Sequence, residues 1–222
     1  PEGVTALGER VFYGMKQLEE IHFPSTISYI GAEALEGTGW LSKERRNNIC
    51  VIVNGILVSA FYDSMVMEAK LPETIHRIAP YAFYKHNGLL SVSLPDSLVE
   101  IGEAAFCGCT NLEDVYGGTN LKNVKDRAFY ECPLQTVKIP DTLECIGLLA
   151  YDLSDNRDAK DKTAIFYGDI IPKLGYEESS TRLSNDWYRD YALKDVLFAV
   201  FRKCISTIYS MELATEKNRK NL

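Results

Sequence analysis

Apolar and polar positions along this chain recur at a spacing of about 23 residues, far longer than the period of a helix or a strand. Aligning LPETIHRIAPYAF, LPDSLVEIGEAAF and IPDTLECIGLLAY puts a small residue after Ile or Leu at Gly8, Gly31, Ala79, Gly102 and Gly147, with Lys125 in the same column. Successive spacings are 23, 48, 23, 23 and 22, so the long one reads as a 23-residue repeat carrying a 25-residue insertion. Leu7, Ile30, Ile78, Ile101, Val124 and Ile146 form a second column in the same phase. Phe12, Leu35, Phe83, Phe106, Phe129 and Tyr151 form a third, preceded by Val11, Ala34, Ala82, Ala105, Ala128 and Ala150. Pro1, Pro24, Pro72, Pro95 and Pro140 stand seven residues before the small residue, and Gly118 replaces Pro once. Agreement in so many columns predicts a solenoid. A coil of about 23 residues cannot bury its apolar side chains alone, whereas identical positions in stacked coils cover one another.

Each repeat predicts one short strand. The pattern Leu-x-x-(Val/Ile)-x-(Leu/Ile/Phe)-Pro appears as Leu18–Ile21–Phe23, Leu89–Val92–Leu94 and Leu134–Val137–Ile139, and in part as Leu112–Val115. Its final period of two sends the apolar side chains inward and those between them outward. Proline, with no N–H, fits where a ladder ends. Stacked strands would form a parallel sheet whose outward residues are Glu20 and His22, Glu68 and Lys70, Ser91 and Ser93, Asp114 and Tyr116, and Thr136 and Lys138. The stretches ERVFYG, PYAFYK, EAAFCG and DRAFYE read as single helical turns on the opposite side.

The segments IPDTLECIG, EIGEAAFCGCTNL and NVKDRAFYEC resemble the BspA-type leucine-rich repeats, over about residues 1–151. That resemblance implies an α/β fold, a right-handed leucine-rich-repeat solenoid of about six coils of 22–23 residues. It also implies display at a bacterial cell surface and adhesion to proteins of a host or a neighbouring cell. Leu35 for Phe, Lys125 for Gly, and YGG for the strand-ending Leu-Pro depart from the family pattern. The family offers no catalytic residues to carry over.

Two segments fall outside the regular coils. The extra residues lie within about 41–69, where NICVIV-NG-ILVSAF joins two apolar runs through Asn54-Gly55, a strong hairpin signal. The hairpin either covers the flank of the second coil or offers a second contact surface, with Trp40 packed beneath it. Beyond Tyr151, residues 152–222 read as a charged loop, one last strand in TAIFYGDIIP, and helices. Leu193, Leu197, Val200, Cys204, Ile208 and Met211 recur at helical spacing, as expected of a helical C-terminal cap on the last coil or a docking helix for a partner.

Composition narrows the function classes. With 46% apolar and 25% charged residues the 222-residue chain has the balance of a folded globular protein. Its net charge of −7 argues against phosphate-driven nucleic-acid binding, and no apolar run is long enough to span a membrane. The six cysteines, at 50, 107, 109, 132, 145 and 204, are sparse for a chain able to build its own core, so free, mostly buried thiols are expected. The chain opens on Pro1 without an initiator Met, as a fragment or a processed protein would, so the lack of a signal peptide says nothing of location.

The candidates for chemistry all have repeat explanations. Cys107-x-Cys109 lacks the spacing of a zinc knuckle or a thioredoxin-like pair. Cys109 and Cys132 share one repeat position with Met15, Thr38 and His86, a ladder of medium-sized residues on stacked turns. His22 lies more than two coils from Ser91 and Ser93, too far for a nucleophile and its base. Asp152, Asp155, Asp158 and Asp161 lack the Gly and the closing Glu of a calcium loop. No catalytic, metal or cofactor site is expected, and the chain is read as a monomer. What remains is the outward face of the strands, a mix of polar side chains with Tyr116 as a hot-spot candidate. Such a face is either simply solvated or a surface for a protein ligand. The expected function is non-catalytic, adhesin-like protein binding on a secreted or surface-displayed protein. The alternatives are a structural spacer within a larger surface protein and a cytoplasmic location.

Overall fold

The computed structural model describes residues 2–60, 66–134, 136–147 and 149–151, together with the backbone of strands at 163–166 and 173–174. The side chains of 136–139 lie outside that description, as does the expected helical cap. The chain winds as a solenoid of stacked coils, and from Glu68 onward the coils contribute strands to two parallel arrays.

The first sheet holds the strands that the Leu-x-x-Val pattern predicts. Strands β5 (Glu68–Lys70), β7 (Ser91–Leu94) and β9 (Asp114–Gly117) pair in parallel, with Glu68, Ser91 and Asp114 in one register row. Ala69, Val92 and Leu94 are buried, while Glu68 and Lys70 are exposed and both serines half-exposed, the alternation that a sheet with one solvated face requires. Strand β11 (Thr136–Ile139) lies beside β9 and pairs in parallel with β13 (Thr163–Phe166). At the end of each strand the carbonyl of Pro72, Pro95 or Pro140 accepts from Ile75, Leu98 or Leu143 N–H at 3.1–3.3 Å, and the chain turns.

That turn leads into a second, narrow sheet. Its rungs are β6 (Arg77–Ile78), β8 (Glu100–Ile101), β10 (Asn123–Val124), β12 (Cys145–Ile146) and β14 (Lys173–Leu174), with β1 (Ala6–Leu7) and β2 (Tyr29–Ile30) paired at the first coils. The inner residue of each rung from β2 to β12 is buried. The small-residue column follows directly, and close approach of coils explains it. A Cβ at Gly102 would stand 2.6 Å from Pro80 N and 2.7 Å from Ile78 O, and one at Gly31 would stand 2.7 Å from Glu9 N.

The Ala-Phe stretches are not helical turns. In each, two residues take positive φ: Arg10, Glu33, Tyr81, Ala104 and Arg127 at 50–62°, and Gly14, Gly37, Lys85, Gly108 and Glu131 at 57–75°. Flipping these residues points alternate N–H groups along the solenoid axis, where a helix would keep them within one turn. Thus Phe12, Phe83, Phe106 and Phe129 N–H donate to Ala34, Ala105, Ala128 and Ala150 O at 2.7–2.9 Å. The rings follow the same register. Phe83, Phe106, Phe129 and Tyr151 stack nearly parallel, with centroids 4.5, 5.0 and 5.2 Å apart.

The insertion is itself a rung. Strands β3 (Cys50–Val53) and β4 (Ile56–Ala60) form the expected antiparallel hairpin, with φ of 47° at Asn54 and 76° at Gly55, the left-handed pair that such a turn requires. However, β4 also pairs in parallel with β6, Leu57 opposite Ile78, and Ala79 N–H donates to Leu57 O at 2.9 Å. The hairpin therefore neither projects nor merely covers a flank. Its second strand fills the place of a coil in the narrow sheet, and the 48-residue spacing holds a shortened coil.

Helix α1 (Gly39–Asn47) replaces a strand of the first sheet. Leu41 still occupies the column of Leu18 and Leu89 and is buried, but the next inward columns fall on Glu44 and Arg46, which a strand could not bury. Thr38 Oγ1 caps the helix, accepting from Leu41 N–H at 3.1 Å. Arg45 anchors it through a bidentate pair with Glu36 at 2.9 and 2.8 Å and a 3.0 Å bond to Ser59 Oγ. Trp40 packs edge-on against Phe23 at 5.1 Å.

Two substitutions test the register. Phe106→Ala removes an interior ring of the stack and should cost about 3–5 kcal/mol in denaturant unfolding. Gly102→Ala should destabilise by about 1–3 kcal/mol, whereas Gly8→Ala, with nothing within 4 Å of the added carbon, should stay within about 0.5 kcal/mol. Equal effects of the two glycine changes would contradict the close stacking.

Candidate functional site

Parallel pairing converts sequence spacing into rows across the first sheet. One row runs Glu68, Ser91, Asp114 and the next Lys70, Ser93, Tyr116, each residue directly beside its neighbour in the pairing register. The backbone of β11 carries Thr136 and Lys138 next to β9, paired on its far side to Thr163 and Ile165.

Glu20 and His22 occupy a different setting. Both are exposed between half-buried Ile21 and Phe23, so the alternation holds, but they lie in no strand. Helix α1 stands in the following coil where a strand would have continued their rows, tied to the first coil by Trp40 N–H donating to Leu18 O at 2.7 Å. The structure therefore brings Glu68, Lys70, Ser91, Ser93, Asp114 and Tyr116 together on one paired sheet, and Glu20 and His22 lie outside it.

Tyr116 dominates the shared surface at 47% exposure. Its hydroxyl donates to the Asp114 carboxylate, and this bond, more than any other influence, raises the phenol above its ordinary pKa. Partial desolvation, the Asp114 charge and the Glu68 charge on β5 act in the same direction. Two exposed apolar side chains at the start of the strands, Met67 (58%) and Leu90 (36%), adjoin this surface through the Leu90 N–H to Met67 O bond of 2.7 Å. Sequence reasoning did not single them out. The available signal was an apolar residue immediately after the inward Leu column.

The cysteine ladder is packing. Cys109 and Cys132 are buried, and their thiols donate to Phe83 O and Phe106 O at 3.1 Å each. A hydrogen bond with the Cys109 thiol and burial both push the Cys132 thiol far above its ordinary range, which disfavours a reactive thiolate. Burial raises the Cys50 and Cys107 thiols as well. Among the described residues no group of three or more His, Cys, Asp or Glu side chains converges to hold a metal ion.

The chain matches the family model described as BspA type leucine rich repeat region, in six copies over residues 1–52 and 47–156. Among solved structures it is similar to the T. pallidum leucine rich repeat protein, with 31% identity and a TM-score of 0.40 over 41% of this chain and 45% of that one. It is similar also to a leucine-rich repeat protein from Bacteroides capillosus, with 22% identity and a TM-score of 0.41 over 55% of this chain and all of the other. A leucine rich cell surface protein from Faecalibacterium prausnitzii matches at 25% identity and a TM-score of 0.43 over 66% of this chain and 42% of that one. The chain thus spans less than half of the T. pallidum and Faecalibacterium proteins. No curated protein matches it.

Replacing Asp114 by Asn removes its negative charge and exchanges the carboxylate for a weaker amide acceptor, so the Tyr116 phenol should titrate at lower pH. Ring-carbon NMR on tyrosine-labelled protein reads this directly. An unchanged Tyr116 titration would contradict the bond.

Proposed function

From the premise that this chain belongs to the BspA-type leucine-rich-repeat family, we propose that it is a non-catalytic, adhesin-like module that binds a partner protein through the outward face of its first sheet. The family is one of repeat proteins suited to protein interaction, and its solenoids offer extended, rigid surfaces. The observation that carries the reading is the pair of in-register rows on β5, β7 and β9. They array charged, hydroxyl and aromatic side chains on a backbone fixed by hydrogen bonds on both sides of β7. A rigid platform spends little entropy on ordering when a partner docks.

The rest of the molecule supports that use. The narrow sheet ties its coils through charged side chains of its own, with Glu100 between Arg77 at 3.7 Å and Lys125 at 3.9 Å. The first sheet keeps Glu68 and Lys70 outside any ion pair among the described residues. Tyr116 supplies the amphipathic ring that most often dominates binding energy at protein interfaces. The proposed setting is the cell surface or the extracellular medium, where the family resemblance points. Among the described residues no helix is long and apolar enough to cross a membrane.

Tyr116→Ala together with Lys70→Ala should weaken partner binding by about 2 kcal/mol or more, with thermal unfolding unchanged. Affinity measured by calorimetry on folded variants is the check. Full affinity in the double variant would place the binding site off this face, whereas the absence of any protein ligand would favour the spacer reading, in which the solenoid only holds other parts of a larger protein apart.

A further inference from the structure

We propose that the first sheet carries a groove, floored by Ser91 and Ser93, that receives an extended polypeptide bearing opposite charges two residues apart. This deepens the reading of the face as a protein-binding surface and rests on it.

The groove follows from side-chain length and register. Strand β7 presents two serines outward, the shortest side chains on this face, between β5 with Glu68 and Lys70 and β9 with Asp114 and Tyr116. Strands in a sheet stand about 4.8 Å apart, so the two walls are about 10 Å apart, the width one extended chain with its side chains occupies. The serine hydroxyls on the floor can donate to and accept from a main chain that runs along them.

Charge then selects the occupant. The Ser91 row is flanked by two carboxylates, Glu68 and Asp114, and the Ser93 row by the Lys70 ammonium and the Tyr116 ring. The walls are coupled across the serines, since the Glu68 charge acts on the Tyr116 hydroxyl from the opposite strand. Along the groove the potential changes sign over two strand residues, about 7 Å, which is also the step from residue i to i+2 in an extended peptide. A Lys or Arg of the occupant meets Glu68 and Asp114, and an Asp or Glu two residues away meets Lys70, with Tyr116 lying over the main chain between them. Phosphate-rich ligands are repelled by the carboxylate row, and an uncharged ligand gains nothing from the change of sign between the rows.

The test is selection from a displayed library of random linear peptides of about ten residues against the full chain. The inference predicts enrichment of oppositely charged residues at i and i+2 in one fixed order. It also predicts that Glu68→Lys with Asp114→Lys weakens the selected peptides by about tenfold or more. Ser93→Phe, which fills the floor without altering charge, should abolish their binding while near-UV circular dichroism and thermal unfolding remain as in the parent. Selected peptides without the charge pattern, or with affinity indifferent to both variants, would overturn the groove. If a protein partner nevertheless responds to Tyr116→Ala, the face reading stands and only the groove falls. If the partner ignores Tyr116 and Lys70 as well, both fall.

Discussion

Everything in this molecule depends on neighbouring coils keeping one register. The Phe-to-Ala backbone bonds along the turns and the stacked rings of Phe83, Phe106, Phe129 and Tyr151 are two expressions of it. Each ring is worth a few kcal/mol only while the rings above and below stay in place, because an isolated coil has nothing to bury it against. The left-handed residues of the turns belong to the same constraint. Arg10, Glu33, Tyr81, Ala104 and Arg127 accept an unfavourable backbone conformation because it aims their neighbours' N–H groups at the next coil.

The same register builds the candidate site and limits it. Rows such as Glu68–Ser91–Asp114 exist because coils of nearly constant length place equivalent residues side by side. Where coil length changes, the two sheets respond differently. The narrow sheet absorbs the irregular coil by using β4 as a rung, while the first sheet yields a strand to α1. The paired rows of the first sheet therefore run from β5 through β7 to β9 and do not include Glu20 and His22.

Most of the architecture was legible because it rests on columns. The strands, the proline turns, the close-packed small residues and the Phe stack all repeat in phase, and a hairpin was readable from Asn54-Gly55. Two features escaped because they depend on where the repeat departs from itself. Leu41 keeps the strand column, so α1 is visible only when Glu44 and Arg46 are noticed at inward positions behind the Thr38 cap. The role of Leu57 as a rung is hidden by its spacing, 27 residues after Ile30 and 21 before Ile78, neither of which matches the repeat. The turns were misjudged as helical because PYAFYK and EAAFCG carry helix-compatible residues, while their conformation is dictated by bonds to another coil. For the site, outward residues could be named from alternation, but the depth of the serine floor between two longer-side-chain strands required the pairing register.

The central claim, that this face and not the rest of the surface meets a partner protein, is most directly tested by site-specific photo-cross-linking in intact producing cells mixed with candidate host or neighbouring cells. A photoreactive residue at position 93, on the first sheet, is compared with one at position 123, on the narrow sheet. The account predicts a discrete protein adduct from position 93 and none from position 123. The same adduct from both positions, or one from position 123 alone, would contradict it.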